Sequence, residues 1–124
     1  MVVGLGIDVC SIERMQQALD RFGERFRDRI LTPDERTDLQ QRVDRATALA
    51  GRFAAKEAAA KALGAPRDVF WHDLQIRRGD LGAPRLELLG PAAAHGARLG
   101  VVRSLVSITH DGGVAAAVVV LEGQ

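Results

Sequence analysis

Residues 2 to 9, Val-Val-Gly-Leu-Gly-Ile-Asp-Val, alternate with a period of two. Val3, Leu5, Ile7 and Val9 fall on one face, and Gly4, Gly6 and Asp8 on the other. This period dictates a strand, because successive side chains of extended backbone point to opposite sides. The glycines strip the second face of side chains and leave Asp8 standing over open backbone. Ser11 is placed to cap a helix running through Arg21, which Gly23 interrupts. Thr32-Pro33-Asp34-Glu35 is a full helix start, with a capping hydroxyl, proline in the first turn and glutamate three residues past the cap. It predicts a helix over residues 33 to 44. A third helix is expected over about residues 46 to 63, stopped by Gly64 with Pro66 beyond.

The second half reads mostly as strands. Residues 73–78 and 85–89 flank Gly79-Asp-Leu-Gly-Ala-Pro84, a hairpin with a longer loop. Gly90-Pro91 opens a short alanine-rich helix closing near Gly100. Residues 101–109 and 114–122 then pair across Asp111-Gly112-Gly113. The expected architecture is a single α+β domain over residues 1–124, in the order β-α-α-α-β-β-α-β-β, with a mainly antiparallel sheet packed against helices. A chain of 124 residues is long enough to hold a core without staples.

Composition excludes several classes. One cysteine, Cys10, permits no internal disulfide and, with three scattered histidines, no cysteine-rich zinc module. No run reaches the roughly 18 apolar residues of a membrane span. The N-terminus has no basic flank and carries Asp8 within its apolar stretch, unlike a signal peptide. Seventeen basic against 16 acidic residues give a net charge of +1, which removes the simplest argument for nucleic acid. A soluble protein of a reducing compartment, the cytoplasm, is expected.

Arginine supplies 15 of the 17 cations, and the two lysines, Lys56 and Lys61, sit together in residues 51–64. Lysine is a compact point charge that can also give up a proton, so the pair marks this segment. At 100° per residue Glu57 and Lys61 share a helix face, as do Arg52 and Lys56. Ordinary surface ion pairs would explain that spacing. Half of residues 46–63 are alanine, however, allowing close approach by neighbouring backbone, and Phe53 and Ala60 lie on the Glu57 side. Spacing leaves both readings open. Asp8 reads either as a strand-end carboxylate bonded to a turn or, if a second carboxylate converges on it, as part of a Mg²⁺–phosphate site, since Mg²⁺ takes hard oxygens and keeps several waters. Asp8, Glu57 and Lys61 are the right types.

Arg14, Arg21 and Arg25 form one stripe after Ser11, with Met15, Leu19, Phe22 and Phe26 beside it. A face basic beside apolar suits an acidic amphipathic helix of a partner. The pattern alone favours a core-facing apolar stripe with solvated arginines, because Gly23 can break it after Phe22. Other motifs fail. Gly4-Leu-Gly6 lacks the third glycine of a dinucleotide fingerprint, having Val9 there. Ser107 and His110 stand an odd number of residues apart and would face oppositely on a strand, which rules out a triad with Asp111. His110, where the last hairpin turns, is open to a phosphate or base contact. His95 reads as structural or merely exposed, and His72 beside Trp71 carries no signal.

Three segments together resemble a known family. Gly6-Ile-Asp8-Val-Cys-Ser-Ile12-Glu-Arg14 is similar to the first motif of the holo-(acyl-carrier-protein) synthases, small bacterial 4′-phosphopantetheinyl transferases. Arg52-Phe-Ala-Ala-Lys56-Glu57-Ala-Ala-Ala-Lys61-Ala-Leu-Gly64 resembles the second and most specific, and Ser107-Ile-Thr-His110 the third, with Thr109 where the family often has serine. The resemblance implies the 4′-phosphopantetheinyl transferase fold and transfer of the phosphopantetheine arm of coenzyme A to a serine of apo acyl carrier protein, for fatty acid or polyketide synthesis, releasing adenosine 3′,5′-bisphosphate. It implies that Asp8 and Glu57 hold Mg²⁺, that Glu57 is the base, and that Lys61 neutralises phosphate charge. Arg52, Gly64, Ser107 and His110 become coenzyme A contacts, and Arg14, Arg21 and Arg25 a docking face for the acidic carrier. It also implies a homotrimer with active sites between subunits, and neither nucleic acid nor membrane as partner. The competing reading is a non-catalytic module binding an acidic helical partner, which would have no need of Asp8 and Glu57 together.

Overall fold

The computed structural model describes residues 1–79 and 81–124; Asp80, in the loop expected between the hairpin strands, lies outside the described residues. The chain runs β1 (Val2–Ser11), α1 (Ile12–Phe22), α2 (Glu24–Ile30), α3 (Pro33–Leu39), α4 (Arg45–Ala62), one 3₁₀ turn (Trp71–Asp73), β2 (Leu74–Arg78), β3 (Pro84–Leu88), α5 (Gly90–Leu99), β4 (Arg103–Asp111) and β5 (Val114–Glu122). This is the α+β order expected from sequence. Gly23 divides the first helical region into α1 and α2: at φ +68° it leaves the helical path, while its N–H still closes on Leu19 O. Ser11 Oγ caps α1 by accepting from Arg14 N, and Thr32 and Glu35 form a reciprocal capping box on α3.

The helix expected to reach residue 44 stops at Leu39. Its last bonds tighten to Gln40 N–Thr37 O and Arg42 N–Leu39 O, and the chain is then held by a two-pronged pair, Arg42 Nε to Asp44 Oδ1 at 2.7 Å and Arg42 Nη2 to Asp44 Oδ2 at 2.6 Å. A local arginine–carboxylate fork replaces the turns that helical periodicity would have continued.

All strand pairs are antiparallel, but they form two sheets, β1-β5-β4 and β2-β3. Asp8 lies opposite Ala117 and Cys10 opposite Ala115, while His110 pairs with Ala115 from the other side. Helix α4 lies across the first sheet, and the glycines of β1 determine how closely. A Cβ on Gly6 would overlap the carbonyl oxygen of Ala58 and stand 2.8 Å from its carbon and 2.9 Å from Ala62 N. One on Gly4 would overlap the Ala62 carbonyl oxygen. The strand's bare face is therefore its buried face. Ala54, Ala55, Ala58, Ala59 and Ala62 are buried there with Ala117, Val119 and Leu121.

The other face of β1 is open. Leu5, Ile7 and Val9 are 65%, 63% and 60% exposed, and Leu105 of β4 and Val114 of β5 add to the same uncovered apolar area.

Lys56 and Glu35 are both fully buried and paired, Nζ to Oε1, at 2.7 Å. The ammonium also donates to Trp71 O at 2.8 Å and Leu74 O at 3.0 Å, so all three of its N–H bonds have acceptors. Glu35 in turn accepts from Thr32 N at 2.7 Å and Ile76 N at 2.8 Å. Burial pushes the Lys56 pKa below the ordinary lysine value, and the adjacent carboxylate opposes that shift. A three-way junction of α3, α4 and β2 needs a small tetrahedral cation, which explains lysine in a chain otherwise rich in arginine. His95, bonded to Asp68 at 2.7 Å and accepting from Arg98 at 3.0 Å, ties α5 to the segment after α4.

Candidate active site

Asp8 projects from the same face of β1 as Gly4 and Gly6, just beyond the place where α4 touches the strand. Lys61, in the last turn of α4, donates to Asp8 Oδ1 and to Ile7 O, each at 3.0 Å. The pair sits at the rim, with Lys61 half exposed and Asp8 largely covered. Glu57 lies one turn earlier on the same helix face. Its Oε1 accepts the indole N–H of Trp71 at 2.9 Å, and that indole packs on Phe53 with ring centroids 5.6 Å apart.

The Cys10 thiol is partly buried on β1. Burial raises its pKa first, then the negative charges of Asp8 and Glu57 raise it further. Asp8 stands two residues before Cys10 on the same strand face. Lys61 thus ties the last turn of α4 to Asp8, with Glu57 one turn before Lys61 on the same helix face. Among the described residues no trio of His, Cys, Asp and Glu is arranged to hold a metal. A carboxylate pair nevertheless fits Mg²⁺ chemistry, because this ion binds through one or two carboxylates and takes its remaining oxygens from waters and substrate phosphates. Among the described residues, hydrogen bonds engage only Oδ1 of Asp8 and Oε1 of Glu57, leaving the second oxygen of each available.

The remaining candidates lie apart from this cluster. Arg52 shares the Lys56 side of α4, and its Nε is buried without a hydrogen-bond partner among the described residues. Burial lowers its pKa, though a guanidinium keeps its charge, and Glu35, Arg42, Asp38 and Arg78 surround it. Arg77 holds the Asp38 carboxyl below the usual carboxylate range through a 2.8 Å hydrogen bond, so this acid is already engaged. Gly64 adopts φ +90° just past the helix end, a conformation that explains glycine there. Ser107 points from the open face of the sheet and His110 from the α4 side, as their odd spacing requires. The Arg42 hydrogen bond holds the Asp44 carboxyl below the usual carboxylate range, with a smaller contribution from His110. Within one chain Ser107 and Asp8 are on opposite faces of the sheet.

Arg14, Arg21 and Arg25 are all exposed and make no ion pair among the described residues. The apolar stripe beside them divides at Gly23. Met15 is buried and Leu19 and Phe26 pack on the core, whereas Phe22 is exposed beneath Arg21, whose guanidinium lies 5.1 Å from the ring centroid. Trp71 is the residue that sequence reasoning missed. Its partner lies 14 positions away on another element, and no periodicity links them.

The model of the 4′-phosphopantetheinyl transferase superfamily matches residues 4–119, which include Asp8, Glu57, Lys61 and the strand bearing Ser107 and His110. The chain belongs to this superfamily and is an enzyme, a transferase. A holo-[acyl-carrier-protein] synthase of Anaeromyxobacter dehalogenans is 52% identical over 126 residues, covering 99% of this chain and 98% of its own length. The crystal structure of holo-[acyl-carrier-protein] synthase from Neisseria meningitidis is similar with a TM-score of 0.87 at 34% identity, covering 98% of this chain and 99% of that one. The Helicobacter pylori holo-[acyl-carrier-protein] synthase, solved in complex with coenzyme A, has a TM-score of 0.82 at 32% identity, covering 95% and 99%.

Proposed function

We propose that the rim formed by Asp8, Glu57 and Lys61 is where this chain transfers the 4′-phosphopantetheine arm of coenzyme A to a serine of apo acyl carrier protein, releasing adenosine 3′,5′-bisphosphate. The observation that carries this reading is the ion pair between Lys61 and Asp8, 53 positions apart in sequence, with Glu57 one turn before Lys61 on the same helix face. Asp8 and Glu57 would hold Mg²⁺, which when bound would supply positive charge to the pyrophosphate of coenzyme A. Glu57 takes the proton of the serine hydroxyl, directly or through one water. Lys61 swings from Asp8 to the phosphates, neutralises charge there and donates a proton to the departing bisphosphate. Positioning and electrostatic stabilisation are what phosphoryl transfer chiefly requires. Arg52, Gly64, Ser107 and His110 contact the nucleotide and its phosphates. Incubating the chain with coenzyme A, Mg²⁺ and apo carrier and weighing the carrier by mass spectrometry tests the reading. A gain of one phosphopantetheine arm is expected, and an unchanged carrier mass would overturn it.

The chain works as one domain in a homotrimer, with the open sheet face between subunits. Ser107 lies on that face, so its contact to nucleotide requires a second copy laid across it, as in a site shared between subunits. Ile7→Glu places a charge amid Leu5, Val9 and Leu105, where burial would be unfavourable. It is expected to give monomers in light scattering after gel filtration, with transfer activity reduced at least about tenfold. An unaltered assembly would show that this face is not the interface.

Arg14, Arg21 and Arg25, with Phe22, dock the acidic carrier protein. Arg14→Ala is expected to weaken carrier binding in calorimetry about threefold to tenfold, with the loss shrinking as salt rises, because screening reduces exposed charge attraction. No helix of the described residues is long and apolar enough to cross a membrane.

A further inference from the structure

Lys56 and Glu57 are neighbours in sequence, and the same short turn is bonded to both. Lys56 Nζ donates to the main-chain carbonyl of Trp71 at 2.8 Å, while the side chain of Trp71 returns to α4 and donates to Glu57 Oε1 at 2.9 Å. The turn has little freedom. Asp73 Oδ2 accepts from Phe70 N at 2.9 Å, Asp73 O accepts from Leu89 N at 2.8 Å, and the His72 ring bonds Asp28 O at 2.8 Å. The indole is also braced against Phe53, one helical turn before Glu57. Behind all this stands the buried Lys56–Glu35 pair, itself bonded to the main chain of α3 and β2.

We propose that Trp71 is a positioning residue for the transfer reaction: anchored by Lys56, its indole N–H fixes the Glu57 carboxylate by one oxygen, Oε1, and so presents Oε2 to the reacting groups. The inference rests on the reading of Glu57 as the carboxylate of the reaction centre. A glutamate at a helix rim otherwise samples several rotamers, and holding it in one removes a cost from the reactive geometry. An indole N–H is suited to this task because it donates and never accepts, so it cannot capture the serine proton.

Trp71 is the chain's only tryptophan, so its indole proton gives one resolved signal in a ¹H–¹⁵N spectrum. In Glu57→Ala that signal is expected to move upfield and to exchange faster with solvent, while in Asp8→Asn it stays in place. An indole signal unmoved by Glu57→Ala would overturn the proposal. Trp71→Phe keeps a ring against Phe53 and removes the donor. In the full-length enzyme it is expected to lower kcat about tenfold to a hundredfold, the usual range for losing a hydrogen bond to a charged group, with KM for coenzyme A within about twofold of wild type. Equal losses in kcat and coenzyme A affinity, accompanied by a lower melting temperature, would mark Trp71 as packing alone and overturn the proposal. Full activity in Trp71→Phe beside an inactive Glu57→Gln would refute positioning and leave the role of Glu57 standing. An active Glu57→Gln would remove the reading on which the inference rests.

Discussion

Gly6→Ala is expected to cost this protein a large share of its stability. The new methyl group would meet the carbonyl oxygen and carbon of Ala58 and the amide nitrogen of Ala62, all main-chain atoms that no rotamer change can move aside. Relief requires α4 to lift from β1, which opens the alanine layer of Ala54, Ala55, Ala58 and Ala59 along much of its length. Overpacking a core typically costs about 1–3 kcal/mol, and a clash confined to backbone belongs at or above the top of that range. Domains of this kind have roughly 5–15 kcal/mol in total. Urea denaturation should show a midpoint shifted strongly downward, with much of the expressed protein insoluble. Gly64→Ala is the matched control: a Cβ there meets nothing within 4 Å and adds only the strain of φ +90°, about 1 kcal/mol. Equal stabilities for the two variants would show that helix and strand do not touch as described.

The second large effect falls on chemistry and leaves the fold alone. Glu57→Gln preserves size and an oxygen for the indole of Trp71, but removes both the charge and the ability to accept a proton as carboxylate does. General-base catalysis alone contributes about a hundredfold to ten-thousandfold, and loss of a Mg²⁺ ligand compounds it. Carrier modification followed by mass spectrometry should therefore slow by at least about a thousandfold. Asp8→Asn should behave similarly, since the amide keeps the Lys61 contact in shape while discarding its charge. Melting temperature and carrier binding should stay close to wild type in both. Transfer by either variant at near the native rate would mean that the reaction centre lies elsewhere.

Local rules made much of this legible. The alternation of residues 2–9 gave β1 and separated Asp8 from the apolar face; the Thr32–Glu35 box gave α3; the odd spacing of Ser107 and His110 correctly put them on opposite sides of β4. These features depend on neighbours within a few residues. What escaped depends on contacts across the fold. Two adjacent residues of α4 have unlike fates: Lys56 is sealed beneath Glu35, which is 21 positions away, and Glu57 stands at the rim. Sparing use of lysine singled out α4 yet could not say which of its lysines is buried. Trp71 gave no signal because its partners are a helix and a buried cation brought in by tertiary packing. Division of the strands into two sheets was likewise decided by pairings that no short window contains.

The spacing of Asp8 from Lys61 is ultimately gauged by peptide groups in direct abutment, glycine on the strand and carbonyls on the helix. A ruler made of main chain has the same length whatever side chains evolution substitutes elsewhere. Mutational tolerance should therefore be lowest not at the charged trio alone but at the featureless residues that set its separation.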